Sequence, residues 1–212
     1  MPRPTKQDPD RGDARTRLLG AARDIVRRQG FTATTVDELC AAAGVTKGAF
    51  FHHFKTKEAL GVAAAEFWAE TTSALFAEAP YHSPDDPLDR VLAYLDFRRA
   101  IMAGDLAKWT CLVGTMTQEV YASHPAIRDA CADSILGHAA TLIPDIEAAM
   151  EARAIRADWT AESLARHCQA VLQGAFILAK ATGDPALAHD SIDHLRRYVE
   201  GLFAPPPAGR TA

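Results

Sequence analysis

Apolar residues return every three or four positions along almost the whole chain, with polar residues between them, the spacing of helices that bury one face. From Asp13 to Gln29 the repeat is Leu18, Leu19, Ala22, Ile25 and Val26. Arg27 and Arg28 complement the C-terminal dipole of that helix, and Gly30 stops it. No proline falls between Pro9 and Pro80, so a helix beginning near Lys57 runs through Trp68 to about Ala79. Asp86 and Pro87 form an N-cap and first-turn pair for a helix carrying Leu88, Val91, Leu92, Leu95, Arg99 and Met102. Trp109, Leu112, Val113, Met116 and Val120 mark the next. Pro125 opens another that runs towards Ala154, with Pro144 expected to kink or break it near residues 140 to 144. Thr160 opens a helix through Leu164, Cys168, Val171, Leu172, Ala175, Phe176 and Ala179, and Pro185 leads into the last, with Ile192, Leu195, Val199 and Leu202. No stretch alternates with period two and no internal repeat occurs, so the expected class is all-α, with about nine helices.

Residues 35 to 60, TVDELCAAAGVTKGAFFHHFKTKEAL, differ from the rest in being two short helices joined by a tight turn, with a third following. Thr35 and Glu38 have the spacing of a reciprocal capping box, so a helix begins near Val36. Ala41, Ala42 and Ala43 are small enough for a second helix to cross closely, and Gly44 takes the left-handed conformation that stops the first. Val45 plugs the crease. Thr46 caps a helix from Lys47 to about His53, whose free N–H groups and lysine suit phosphate, and Thr56 caps the next with Lys57 in its first turn. This is the layout of a helix-turn-helix DNA reader.

The residues Thr35, Val36, Leu39, Ala43-Gly44-Val45, Lys47-Gly48, His53-Phe54 and Lys57-Glu58 resemble the pattern of TetR-family transcriptional regulators. The resemblance is close over residues 14 to 62, and beyond them lies in length and helical character. One position departs: the family usually has a tyrosine where Phe51 stands. Phe51 can pack on the DNA backbone or a thymine methyl but cannot donate a hydrogen bond to phosphate. Three prolines and alternating charges make residues 1–11 a flexible arm, and PPPAGRTA makes 205–212 a disordered tail; the resemblance implies a three-helix DNA-binding head (12–58) and a larger helical ligand-binding and dimerisation body (59–204). It also implies that the helix from Lys57 acts as a lever on the head. Lys47 and His52 are assigned to base edges or nearby phosphates, and Thr35, Thr46, His53 and Lys57 to phosphates. Gly48 allows close backbone approach, and Phe50 and Phe54 are core. Arg3, Lys6 and Arg11 either enter the minor groove or belong to a disordered terminus.

Charge sharpens the division. Residues 1 to 60 hold 11 Lys or Arg against 7 Asp or Glu, net +4, whereas residues 61 to 212 hold 12 against 20, net −8. A basic head on an acidic body presents one end to a polyanion. Cys40, Cys111, Cys131 and Cys168 lie far apart without a C-x-x-C pair, which suits a reducing cytoplasm and indicates neither a disulfide framework nor zinc. His52 and His53 diverge by about 100° on a helix and have no third ligand nearby, so no metal or other cofactor is expected. No apolar run approaches the roughly 18 residues that span a bilayer, and no secretion signal is apparent, so a soluble cytoplasmic protein is expected.

A reader helix this short touches few base pairs, so a homodimer on a palindromic operator is expected. The rows Val171, Leu172, Ala175 and Leu195, Val199, Leu202 either form the interface or face the chain's own core. For the small-molecule effector of apolar or amphipathic character that the resemblance implies, Trp68, Phe97, Trp109, Leu112, Met116 and Phe176 are candidate lining. Gln173, Thr110, Thr115 and Thr117 are candidate polar contacts. Cys111, with Lys108 one turn earlier, is either an electrophile-sensing thiol, as in some relatives of this kind, or a small buried hydrophobe. No Gly-rich phosphate loop, nucleophile elbow or paired-carboxylate motif points to an enzyme. The expectation is a ligand-released repressor; the alternative is an architectural or partner-controlled DNA binder of the same fold.

Overall fold

A helix leaves its first N–H groups without partners, and in this chain short polar side chains supply them. A computed structural model describes residues 13–204; the expected arm with Arg3, Lys6 and Arg11, and the expected tail, lie outside the described residues. Asp13 accepts from the Thr16 N–H at 2.8 Å to open α1 (Ala14–Gln29). Thr35 opens α2 (Val36–Ala43), Thr46 opens α3 (Lys47–His53), and the Thr56 hydroxyl accepts from Ala59 at 3.0 Å to open α4 (Lys57–Ala77). A 3-10 turn (Pro80–His82) follows. Asp86 then caps α5 (Pro87–Ala100) and Asp105 caps α6 (Leu106–Trp109), ahead of α7 (Leu112–Val120), α8 (Pro125–Ala140) and α9 (Ile143–Ala152). Thr160 caps α10 (Ala161–Thr182), and α11 (Ala186–Phe203) ends the described chain. No strand forms among the described residues. The fold is all-helical, with two more helices than expected. Pro144, near the start of α9, accompanies a full break after Ala140, and Thr110 leaves helical geometry (φ −74°, ψ 155°) and so separates α6 from α7.

The described helices gather into two compact units: residues 13–71 with 112–134, and residues 72–111 with 135–204. Packing therefore assigns α7 and most of α8 to the unit that holds the first three helices, a different division from the boundary read at residue 58. In the first unit α1 packs on α2, α3 and α7. Leu18, Leu19, Leu39, Phe50, Leu60, Leu112, Met116 and Ile127 are its largest fully buried side chains. Gly30 ends α1 with φ 90° because two demands meet there: the left-handed backbone, and the Glu119 carboxylate of α7, which occupies the space a Cβ would need. That carboxylate accepts the Thr32 N–H at 2.9 Å.

In the second unit α10 packs on α11 and α9, and α5 on α9 and α11. Leu172, Ala175, Leu195 and Val199 lie in this core, each 3% exposed or less, with Val171 and Leu202 half-buried against it. The expected dimer rows thus face their own chain. The apolar side chains that α10 and α11 expose are Ile177, Leu178 and Tyr198.

One polar group is built into that core. The His138 Nε2 lies 3.0 Å from the Tyr94 hydroxyl and 3.5 Å from Arg98 Nη1, and Gln169 Nε2 donates to the Tyr94 oxygen at 3.4 Å. Arginine only donates, so Nε2 accepts, and Tyr94 donates to it while accepting from Gln169. Burial, with the Arg98 charge second, pushes the His138 pKa down to about 3, and burial pushes the Tyr94 hydroxyl up to about 12.

A histidine with a folded pKa near 3 binds no proton at a pH where the unfolded chain, near 6.5, already does. Stability is complete above about 6.5 and declines as pH falls towards 3. Carboxylates held low by partners, such as Asp86 beside Arg153, enter only below about pH 4. Thermal melts across this window are expected to show a loss of a few kcal/mol that His138→Gln largely removes. An equal slope in the variant would count against a neutral His138.

Candidate nucleic-acid interface

The turn between α2 and α3 is set by Gly44 at φ 62°, ψ 42°, the left-handed region that a Cβ disfavours. Its N–H reaches the Cys40 and Ala41 carbonyls, and the Val45 N–H donates to the Cys40 carbonyl at 3.0 Å. Ahead of the turn, Thr35 and Glu38 make both halves of the capping box: Glu38 N–H to Thr35 Oγ1 at 3.2 Å, and Thr35 N–H to Glu38 Oε2 at 2.8 Å. These bonds, with the Gln29 amide, hold the Glu38 carboxyl below the usual carboxylate range. After the turn the Thr46 hydroxyl accepts the Ala49 N–H at 3.1 Å.

Those bonds fix which side of α3 faces out. Phe50 is fully buried and Phe54 nearly so, while Thr46, Lys47, Gly48, Phe51 and His52 are exposed. Phe51 keeps 48% of its surface accessible, its ring edge-on to Phe50 at 5.2 Å. His53 is half-buried, its ring 5.1 Å from that of His52. The result is a short helix whose back is aromatic core and whose front carries one lysine, a histidine, a phenylalanine and a glycine, proportions that suit a major groove.

Lys47, assigned to base edges or nearby phosphates, and Lys57, assigned to phosphate, already have partners. Lys47 Nζ lies 2.7 Å from Asp37 Oδ1, and this hydrogen bond raises its pKa. Both side chains are exposed, so phosphate can displace the carboxylate at little cost. Lys57 is half-buried: Nζ donates to the Thr32 carbonyl at 3.2 Å and sits 4.5 Å from the Phe31 ring centroid, and burial draws its pKa down. Two further exposed cations lie close to α3 in sequence or in space. Lys55, in the turn between α3 and α4, is exposed, and Arg15 in the first turn of α1 is exposed with its guanidinium 5.7 Å over Phe54. Their only signal was proximity in sequence to caps already identified.

The expected effector residues divide between the units. Leu112 and Met116 are fully buried in the first, and Trp68 there lies under the Arg27 guanidinium at 5.2 Å. In the second, Trp109 packs on Phe176 at 5.9 Å, and Phe97 packs on Phe76 at 5.4 Å. The buried amide of α10 is Gln169, one turn from the expected Gln173, and the buried arginine of α5 is Arg98; Arg99, which the sequence places on the apolar row of that helix, is exposed and pairs with Asp193 at 2.9 Å. Cys111 is half-buried, and Cys40, Cys131 and Cys168 are buried.

Comparison with known proteins places these features among others. Residues 18–64 match the model of bacterial regulatory proteins of the tetR family, and residues 87–195 match the tetracyclin repressor-like C-terminal domain. The transcriptional regulator AcuR of Cereibacter sphaeroides is 30% identical over 112 residues, 53% of this chain and 51% of that protein. The HTH-type transcriptional repressor NemR of Escherichia coli is 35% identical over 82 residues, 39% of this chain and 41% of NemR. The matches thus span about half the length of these relatives or less. The crystal structure of a regulatory protein TetR from Rhodobacter sphaeroides superposes with a TM-score of 0.78 at 25% identity, over 87% of this chain and 98% of that one.

Lys47→Ala and Lys55→Ala are each expected to weaken duplex binding and to reduce the slope of log affinity against log salt by about one. Anisotropy titrations at several salt concentrations measure this, and an unchanged slope for a variant removes that lysine from the phosphate contacts.

Proposed function

Because the chain is a transcriptional regulator belonging to the TetR family, we propose that it is a repressor that binds a palindromic operator as a homodimer and leaves it when a small molecule binds the second unit. The observation that carries the DNA reading is the geometry of α2, the Gly44 turn and α3, which holds Thr46, Lys47, Gly48, Phe51 and His52 outward on a buried Phe50. Thr35, His53 and Lys57 belong at the flanking phosphates, joined by Lys55 and Arg15. The name of NemR as a repressor supports the direction of control, and a dimer seated on a promoter blocks transcription without further apparatus. No helix among the described residues is long and apolar enough to cross a membrane, which agrees with a cytoplasmic regulator.

The partner face of the dimer is the exposed side of α10 and α11, where Ile177, Leu178 and Tyr198 are each about half accessible. Exposed apolar side chains on two adjacent helices suit a four-helix bundle with a second copy. Light scattering of the intact protein is expected to give a dimer, and Ile177→Glu with Tyr198→Glu a monomer that binds operator DNA at least about tenfold more weakly. The operator search begins with the DNA upstream of the protein's own gene, against scrambled competitor. A monomer at micromolar concentration, or binding no tighter than to scrambled duplex, counts against the reading.

Cys111 supports a second route of release, since it alone of the four cysteines is not buried and it stands immediately before α7. Iodoacetamide applied to the native protein is expected to modify Cys111 first and to lower operator affinity, with Cys111→Ser resistant. Modification without effect on DNA binding would leave Cys111 as packing.

A further inference from the structure

Arg98 of α5 has 9% of its surface exposed and sits inside the core of the second unit. The neighbouring arginines are matched: Arg90 with Asp145 at 2.8 Å, Arg99 with Asp193 at 2.9 Å, Arg153 with Asp86 at 2.8 Å and Arg196 with Asp96 at 3.2 Å. Among the described residues no carboxylate lies within 4.0 Å of Arg98. Its guanidinium faces the Phe76 and Phe176 rings, at 5.2 and 5.6 Å from their centroids, and Nη1 faces the uncharged His138. Its Nε has no hydrogen-bond partner. A desolvated guanidinium without a counter-charge is among the costlier groups a core can hold.

Two more buried groups of the same unit are also without partners. Trp109 packs on the same Phe176 that Arg98 covers, and its buried Nε1 has no acceptor; the next residue, Thr110, is fully buried with an unpartnered Oγ1. Arg98 Nε and Trp109 Nε1 can only donate and the Thr110 hydroxyl can donate as well, so one acceptor chemistry would satisfy all three. The unmatched charge asks that the acceptor be an anion, and the planar fork of arginine favours two oxygens on one carbon. The surrounding Phe76, Phe176 and Trp109 rings favour an apolar remainder.

We propose that Arg98 anchors the carboxylate of a small apolar or aromatic acid, with the Trp109 and Thr110 donors serving the same oxygens and the Phe76 and Phe176 rings taking the hydrocarbon part. This inference rests on the reading of the second unit as an effector domain. His138 and Tyr94 are neutral near pH 7, so the site holds one net positive charge and suits a monoanion. Thr110 also stands at the break between α6 and α7, so an acid held there engages the segment that leads into α7.

The test uses the intact protein, with acetate, butyrate, hexanoate, phenylacetate and benzoate at millimolar concentration as probes, and hexanamide and benzamide as neutral counterparts. Melting temperature and tryptophan fluorescence report binding. At least one acid is expected to raise the melting temperature while its amide does not. Arg98→Met is expected to weaken that acid by about tenfold or more and, in its absence, to melt no lower than the native protein, since an unmatched buried charge has been removed. If Arg98→Met melts lower, Arg98→Lys decides: the charge is kept, and a retained acid-specific shift supports the site whereas its loss overturns it. No shift with any acid, equal shifts with acid and amide, or an undiminished shift in an Arg98→Met protein that melts normally overturns it as well. Acid binding that leaves operator affinity unchanged would keep the Arg98 site and remove the release of operator by such acids; absent acid binding with intact operator binding would remove the Arg98 site and leave the DNA reading standing.

Discussion

A helix of seven residues has almost no stability of its own, because nucleation consumes most of what its few hydrogen bonds return. The reader helix α3 therefore exists only as far as its surroundings hold it, and Phe50 is the side chain by which they do. Fully buried, with Phe54 behind it at 5.9 Å, it fixes the rotation of α3 about its axis. Rotation decides everything outward: a change of one residue's phase, about 100°, would exchange Phe51 for Phe50 and turn the exposed edge inward. The Gly44 turn and the Thr46 cap fix the remaining freedom, the angle at which α3 leaves α2.

The support extends beyond the first three helices. α7 belongs by packing to the same unit, and its Glu119 carboxylate closes on the Gly30–Thr32 turn, where the absence of a Cβ makes room for it. Lys57, also on that turn through the Thr32 carbonyl, shares the arrangement. The turn after α1 is thus tied to a residue 87 positions later in the chain, on a helix that packs in the same unit as the reader.

What was legible in the sequence was local. Thr35, Thr46, Asp86 and Thr160 announce their helices because a cap and its target lie within three residues, and Gly44 announces the turn because few residues tolerate its backbone angles. The split at residues 140 to 144 followed from Pro144 alone. What failed was rotational phase. Period alone says that α10 and α11 have apolar faces, but each has two, and the stripe read as an interface is the one the monomer buries, while Ile177 and Tyr198 lie outside it. Arg98 and Arg99 are adjacent, and only the packed helix shows which of them is inside. Side-chain pairing was equally invisible: Asp37 beside Lys47 and Thr32 beside Lys57 depend on the fold having brought them together.

The unmatched donors of the second unit bear on how such a protein is switched. An effector shifts a conformational equilibrium only by its difference in affinity for the two arrangements, so its anchoring groups must be ones whose surroundings change between them. A guanidinium with several carboxylate partners would bind an acid by exchange, with small net gain and a small shift. Arg98 has none among the described residues, so a carboxylate arriving there would meet a charge that aromatic rings and a neutral imidazole solvate only in part. Thr110 adds the directional element, because its backbone is extended at the break between α6 and α7 and its hydroxyl has no competing bond to break. A core that keeps a cation unpaired sacrifices stability in the empty state, and that sacrifice is what allows a small anion to carry a large difference in free energy.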